Sequence, residues 1–377
     1  MGEQITPDIK FVREVIASGG ESLKKCYQCA TCSVVCNLSP DDKPFPRKEM
    51  IYAQWGMRDK LISSPDIWLC HQCSDCTAYC PRGAKPGEVL GAIRSLAIKN
   101  YSKPSAIANL VSSPKGAIVL FLIPTLIFLL FMAIQGHFTQ GIPRGEGGII
   151  SFSKFMPPIP YIDFLFIPLA ALVVISFIMG IKAYWADMNK YHGKAAGGDI
   201  NKSITDIIVE ILSHKRFDSC NVTKDRKISH LLVFYSFIGL AITTSIAVFY
   251  LYFLKWESPY PQTNIIKIIG NISGIALLIG ITMIVSNRIK NKEKAGAGSY
   301  FDWLFIVVVY GVGASGMFAQ IFRLIDVAPV AYFMYFVHLV FIFALFAYAP
   351  FSKMAHMVYR TTAMIYARHV GRDKLAT

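Results

Sequence analysis

Eight of the chain's nine cysteines fall into two copies of one spacing, and no other feature restricts the fold as strongly. The first copy is Cys26-x2-Cys29-x2-Cys32-x3-Cys36, and the second is Cys70-x2-Cys73-x2-Cys76-x3-Cys80, followed by Pro81. Three thiolates within seven residues can wrap one face of an iron-sulfur cube, and thiolate is the soft, anionic donor that iron takes. Tetrahedral zinc would be satisfied by two Cys-x2-Cys pairs, leaving the third and fourth cysteine of each run without a role. Structural disulfides would require an oxidising compartment. The spacing therefore predicts two 4Fe-4S clusters. Asn37 stands where the second run has Pro81, a position that shapes the exit of the chain and donates no ligand.

In two-cluster ferredoxins the fourth cysteine of each run reaches across to the other cluster. By that logic one cluster is held by Cys26, Cys29, Cys32 and Cys80, and the other by Cys70, Cys73, Cys76 and Cys36. The segments around them read as helices. Ile9, Val12 and Ile16 recur at helical spacing until Gly19-Gly20, and Met50, Ile51, Ala53, Gln54 and Trp55 form an amphipathic insert between the runs. Pro86 opens a further helix carrying Val89, Ile93, Leu96 and Ala97. The expectation is an all-helical two-cluster ferredoxin domain over 1–105, with residues 102–116, rich in serine and holding Pro104 and Pro114, read as a linker.

The rest, 106–377, is of another kind. Of the 377 residues 54% are hydrophobic and 16% charged, outside the range of a soluble chain, and the apolar excess lies after residue 114. Six apolar segments, about 116–135, 161–184, 229–254, 266–287, 301–325 and 328–351, are each long enough to span a bilayer as a helix. Basic residues alternate between the loops. Lys190, Lys194, Lys202, Lys215, Arg216, Lys224, Arg226 and Lys227 follow the second span, Arg288, Lys290, Lys292 and Lys294 the fourth, and Lys353, Arg360, Arg368, Arg372 and Lys374 the sixth. The opposite loops hold little beyond Arg144, Lys154 and Lys255. The positive-inside rule then places both termini and the cysteine domain in the cytoplasm, and explains the net charge of +14 without nucleic acid. Met1 to Val15 lacks the apolar core of a secretory signal, and neither a Gly-rich phosphate loop nor a Ser/His/Asp arrangement is evident.

An ionisable residue inside a span is costly and marks function. His338 lies about a third of the way into the sixth span and His356 just past its end. Eighteen residues make about five helical turns, or about 27 Å of rise, so one continuous helix would carry both on one face at opposite depths. Axial ligands of two stacked haems b would stand so. His230, at the start of the third span, matches the depth of His356, and the two can share the inner haem. For the outer haem His338 would need His137, a methionine such as Met132 or Met317, or an empty position. His192, His214 and His369 read as solvated, Cys220 as a plain thiol, and Gly311, Gly313 and Gly316 as close helix packing. Lys267 and Arg323, near outer span ends, would contact a quinone carbonyl or snorkel to the surface.

The runs His338-Leu339-Val340 and Pro350-Phe351-Ser352-Lys353-Met354-Ala355-His356 resemble the last haem-bearing helix of respiratory nitrate reductase gamma subunits. His230-Leu231-Leu232 resembles the first histidine of that family's earlier haem helix, whose second histidine, ten residues on, is Leu240 here. The cysteine domain resembles the iron-sulfur C subunits of heterodisulfide reductases and the membrane part their haem subunit. Their fusion in this order is similar to the membrane subunits of the quinone-interacting membrane-bound oxidoreductases of sulfate reducers. The resemblance implies an inner-membrane electron-transfer subunit of a quinone-dependent oxidoreductase, with an all-α fold ending in a six-helix cytochrome b bundle. Menaquinol would give electrons through haem b and both clusters to cytoplasmic flavin and iron-sulfur subunits, and on to adenylylsulfate reductase. Two rivals stand beside it. One is a heterodisulfide-reductase-type subunit with another membrane carrier, which needs a separate cysteine-rich catalytic subunit. The other is a redox-sensing membrane anchor.

Overall fold

The structure is a computed structural model that describes residues 6–141, 143–193, 198–221, 226–291 and 298–373, all helix, turn or loop, with no strand among the described residues. Lys194, Lys224, Lys292, Lys294 and Lys374 of the basic loops lie outside them. The cysteine region holds α1 (Ile9–Val15), α2 (Thr31–Val34), α3 (Arg47–Gln54), α4 (Arg58–Ile62), α5 (Asp66–Leu69), α6 (Asp75–Ala78) and α7 (Pro86–Tyr101). Asp8 caps α1 by accepting from Phe11 N at 2.9 Å, and the chain leaves through Gly19, whose φ of 105° only glycine adopts without strain. Pro86 sits in the first turn of α7, where its missing N–H costs nothing, and Val89, Ile93, Leu96 and Ala97 are buried.

The expected linker is helical instead. α8 (Ser105–Val111) buries Ala108 and Val111, and Pro104 and Pro114 mark the starts of α8 and of α9 (Pro114–Ile134). Proline at a helix start is compatible with helix, so its presence did not signal irregular chain. After α10 (His137–Gln140) and α11 (Phe152–Phe155) come α12 (Asp163–His192), α13 (Ile200–Ser213), α14 (Arg226–Tyr252), α15 (Ile265–Lys290), α16 (Tyr300–Leu324), α17 (Ala328–Ala347) and α18 (His356–His369). Among the described residues six helical stretches are long and apolar enough to cross a membrane, and they coincide with the six segments expected. Side chains such as Leu122, Ile175 and Phe249 face outward. The second stretch runs on to His192, past its apolar part, because hydropathy marks where a helix is greasy and not where it ends.

Glycines let the spans approach. A Cβ on Gly311 would stand 2.5 Å from the Phe341 ring, and one on Gly280 2.9 Å from Leu232, so Gly311 is the packing position its sequence context suggested. The final span differs from expectation. α17 stops at Ala347, two 3-10 turns (Ala349–Phe351 and Lys353–Ala355) follow, and α18 begins at His356. Pro350 cannot donate and disfavours helix at Ala349, and Ser352 Oγ accepts from Met354 N at 3.2 Å to start the next turn. His338 and His356 therefore ride on separate helices, and the shared face inferred from their spacing does not exist.

One core joins the two ends of the chain. Phe11, Trp68, Leu90 and Ile93 pack together with Tyr184, Met188, Tyr359 and Tyr366, and the Trp68 and Tyr359 rings stack at 5.9 Å. Arg372 holds Asp66 through Nε at 2.8 Å and Nη2 at 2.5 Å, and Arg368 Nη2 donates to Glu210 at 2.7 Å. Arg216 pairs with Glu210 and Asp373. Arg216, buried, and Arg368 and Arg372, largely buried, were counted as loop charge and act instead as struts. Removing one partner of such a pair typically costs about 3–5 kcal/mol.

Candidate electron-transfer centre

The two runs fold alike. Gln28 and Ala30 (φ 62° and 69°) flank Cys29 in the left-handed region, as Gln72 and Ser74 (φ 53° and 69°) flank Cys73. Non-glycine residues held there cost free energy and occur where geometry must be kept. All nine cysteines are free thiols. Burial pushes the Cys32 thiol up to about 11, and Cys26, Cys29 and Cys80 press in the same direction. Burial likewise lifts Cys36 to about 12, with Cys70 and Cys73 adding to it, and Cys76 feels Cys70, Cys73 and Cys36. Cys80 acts on Cys26 and Cys32, and Cys36 is affected by Cys70 and Cys73 and acts on Cys76. Burial thus raises Cys26 and Cys32 in one set and Cys36, Cys70 and Cys76 in the other, and clustered thiols that resist ionising on their own fit a group that supplies positive iron. Among the described residues no three His, Cys, Asp or Glu side chains converge on a single ion.

Surroundings separate the sets. Cys29 of the first set is exposed and Cys32 buried, whereas in the second set Cys70 and Cys76 are buried and neither Cys36 nor Cys73 is exposed. Arg94 Nη1 donates to Cys70 O at 3.2 Å, Arg360 Nη1 to the same oxygen at 3.4 Å, and Arg226 Nη1 to Gln72 O at 2.7 Å. Burial brings Arg360 down to about 9, which leaves it charged at neutral pH. Its Nη2 donates to His71 Nδ1 at 2.9 Å. Burial and Arg360 hold His71 well below the usual histidine range, so it is neutral with its other nitrogen protonated.

From His71 a line of rings leads into the membrane half. His71 stands edge-on to Phe217 at 4.1 Å, and Phe217 lies 5.2 Å from His230 and 5.6 Å from His214. His214 Nε2 and His230 Nδ1 are 2.9 Å apart. A cavity of about 480 Å³ opens beside this line, lined by Gln72, Phe217, Arg226, His230, Arg288 and Lys353 among others. His356 is close enough to act electrostatically on His230, and its Nδ1 meets Lys353 O at 2.5 Å. His338 Nδ1 meets Val312 O at 3.0 Å and Ser315 Oγ at 3.2 Å, and a Cβ on Gly316 would come within 2.9 Å of the ring. In all three histidines Nδ1 is engaged, the arrangement that orients Nε2 for an axial bond, so these residues fit haem.

The remaining sequence candidates divide. His137 Nε2 lies 2.7 Å from Phe155 O with its ring stacked on Phe155, which ties it to α11 and not to His338. Met132 packs around the core with Phe128, and Met317 lies against Gly274. His214 and His192 are not solvated: the first is buried on His230, and the second meets Ser63 Oγ at 3.1 Å. Cys220 is buried beside Cys73 rather than idle. Lys267 does not snorkel; its Nζ donates to Gln320 at 2.9 Å, and Gln320 Nε2 donates to Asn271 at 2.6 Å. His71 escaped the sequence reading although it sits inside the second run.

Residues 170–377 match the family of citrate utilization protein B, more than half the chain. The chain belongs to that family. Residues 22–84 match the 4Fe-4S dicluster domain. Citrate utilization protein B of Escherichia coli is 22% identical over 313 residues, 78% of this chain and 76% of that one. Within the cysteine region, a protein of Archaeoglobus profundus that is itself like the C subunit of heterodisulfide reductase is 38% identical over 95 residues, 25% of this chain and 50% of that one. The C subunit of the H(2):CoB-CoM heterodisulfide,ferredoxin reductase of Methanothermobacter marburgensis is 37% identical over 93 residues, 24% and 50%. The chain spans about half the length of these two relatives. No solved structure matches. This family member is therefore a helical chain with six helices fit to span a membrane and a 4Fe-4S region like the C subunits of heterodisulfide reductases, and several relatives of that region are subunits of such oxidoreductases.

Proposed function

We propose that the chain carries electrons between membrane menaquinol and cytoplasmic flavin and iron-sulfur subunits. One 4Fe-4S cluster is held by Cys26, Cys29, Cys32 and Cys80, the other by Cys36, Cys70, Cys73 and Cys76, and haem b by His230 and His356, with His338 serving a second haem. When bound, these groups accept and release one electron at a time. The protein's own work is to hold them in line and shape their surroundings. The observation that carries the reading is the contact series from His71 through Phe217 to His230, which leaves no gap between the second cysteine set and the membrane histidines. Arg94, Arg226 and Arg360 place positive charge around the loop that takes the electron, and the first set, through its exposed Cys29, faces a soluble partner. Both ends of the chain and the cysteine region lie in the cytoplasm on this reading, on the side of the basic loops.

The soluble destination has two versions. By the fusion of heterodisulfide reductase-like parts, electrons go by way of flavoprotein subunits to adenylylsulfate reductase in sulfate reduction. The relative that spans most of both chains favours a partner in citrate utilization instead. The purified chain should bind about eight non-haem irons and haem b by pyridine haemochrome, and a menaquinol analogue should reduce the haem. Absence of haem would overturn the membrane half of the proposal. Clusters that are reducible but never turned over by quinol would make the chain a sensor. Adding the candidate oxidants in turn, adenylylsulfate reductase with its flavoprotein and a citrate-pathway redox enzyme, then decides between the two versions.

A further inference from the structure

Three bulky apolar side chains stand exposed around the first cysteine run. Val34, at the end of α2, is 82% exposed, Tyr27 follows Cys26, and Tyr79 ends α6 with 60% of its surface open. α2 lies against α6, which brings the three together near the exposed Cys29. The charge at their rim is positive. Arg82 holds its guanidinium 4.1 Å from the Tyr27 ring centroid, and Arg47 is fixed by Nε donating to Gln28 O at 3.0 Å and by its backbone N donating to Ser33 Oγ at 3.1 Å. Both arginines are exposed, and so is Lys24 on the turn that leads into Cys26. Of the acids flanking this stretch, Glu21 lines the cavity beside His230, and Asp42, next to Asp41, meets Arg372 at 3.9 Å.

Single exposed apolar residues are ordinary, whereas aromatic and aliphatic side chains gathered inside a rim of arginines have the composition of a protein interface. A cationic rim selects an acidic counterpart and speeds the encounter with it. A soluble partner is favoured over the bilayer by where the patch lies. Arg226, Arg360 and Phe217 of the membrane half bear on Gln72, Cys70 and His71 of the second run, and this patch surrounds the first.

We propose that the patch, with Tyr27, Val34 and Tyr79 at its centre and Lys24, Arg47 and Arg82 around them, is the docking surface for a soluble redox protein whose contact face is acidic around an apolar centre. The proposal rests on the reading that the first set exchanges electrons with a soluble partner. It is tested on the full chain in nanodiscs of neutral lipid, offered an acidic flavodoxin and, in parallel, cytochrome c as a basic redox protein. Flavodoxin should slow amide exchange in 27–34 and 79–82, and raising the salt from about 50 to about 300 mM should weaken its binding about tenfold or more. Lys24→Glu with Arg82→Glu should weaken it by a similar factor and admit cytochrome c instead, with iron content unchanged. Arg47 is left in place because it holds Gln28 O. Val34→Ser removes only apolar surface, and should weaken flavodoxin about threefold or more while leaving the salt dependence as it was.

Flavodoxin binding that ignores salt or the charge reversal overturns the proposal, as does a preference of the unaltered chain for cytochrome c. So does protection of the same amides by nanodiscs of anionic lipid with no protein added, which would make the patch a membrane face. Protection that grows with the concentration of the chain alone would make it a contact between copies and equally overturn the proposal. If the double variant loses iron, Val34→Ser decides by itself. Flavodoxin that docks as expected but leaves the chain's iron-sulfur signals unchanged would uphold the surface and refute the electron-transfer reading of the first set.

Discussion

The two cysteine runs share a backbone and differ in everything around it. Tyr27 and His71 occupy matching positions, each directly after the first cysteine of its run. Tyr27 is 68% exposed, with the Arg82 guanidinium 4.1 Å from its ring centroid, whereas His71 is turned inward and stands edge-on to Phe217 with ring centroids 4.1 Å apart. One loop looks to solvent, and the other is roofed by the membrane half and fastened by three arginines. A repeated spacing builds two equal cages; what lies over each cage gives the pair a direction. The repeat alone has no near and far end.

The comparison breaks hardest at Cys36, which lies in the first run but stands with the second set. Cys36→Ala should lower the iron content from about eight to about four and abolish the signal of the buried centre. Loss of the exposed centre instead would show the runs to be uncrossed. Next, if His230 and His356 hold a haem as proposed, His356→Leu should remove it, seen as lost haemochrome absorbance, with both iron-sulfur signals retained. Loss of either cluster signal would mean that α18 supports the cysteine sets rather than a separate carrier.

Smaller effects sharpen the contrast. Arg360→Gln takes a charged donor from Cys70 O and His71, and should cost about 1.5–3 kcal/mol in unfolding while shifting only the second centre's spectrum. A change confined to the first centre would contradict the assignment of surroundings. The mildest probe is acid. Burial depresses the His214 pKa below its ordinary value of 6.5, so the folded form binds fewer protons than the unfolded one. Its stabilising contribution is intact above that value and declines as the pH falls below it. Titration from pH 7.5 to 5.5 should perturb the His230 side and the second centre reversibly before the exposed set responds, and His214→Gln should flatten the profile.

Much of this was legible in local patterns. The helical cysteine region, the opening helix, the helix after Pro86 and the six apolar stretches follow from spacing and periodicity over short windows, which tertiary context seldom reverses. Pro350 was also in plain view, and counting helical turns between His338 and His356 ran straight through it. α8 was masked because Ser and Pro serve helix starts as readily as loops. His214 and Cys220 carried no signal at all. Their importance comes from the return of the segment between α13 and α14 onto the cysteine region, a contact between residues separated by well over a hundred positions. Arg368 and Arg372 were visible as charges, yet no pattern distinguishes a free basic tail from one that fits Glu210 and Asp66.

The stacking of Tyr359 on Trp68 and the grip of Arg372 on Asp66 also impose an order of manufacture. Translation delivers the cysteine runs first, but α18 and its flanking arginines emerge after all six spans. The first set can take its final form early. The second set stays without Arg360, Phe217 and its tyrosine neighbours until the bundle is inserted and the chain's far end has come back. On the proposed ligation, the buried centre would then be completed only in a chain whose spans have already been inserted.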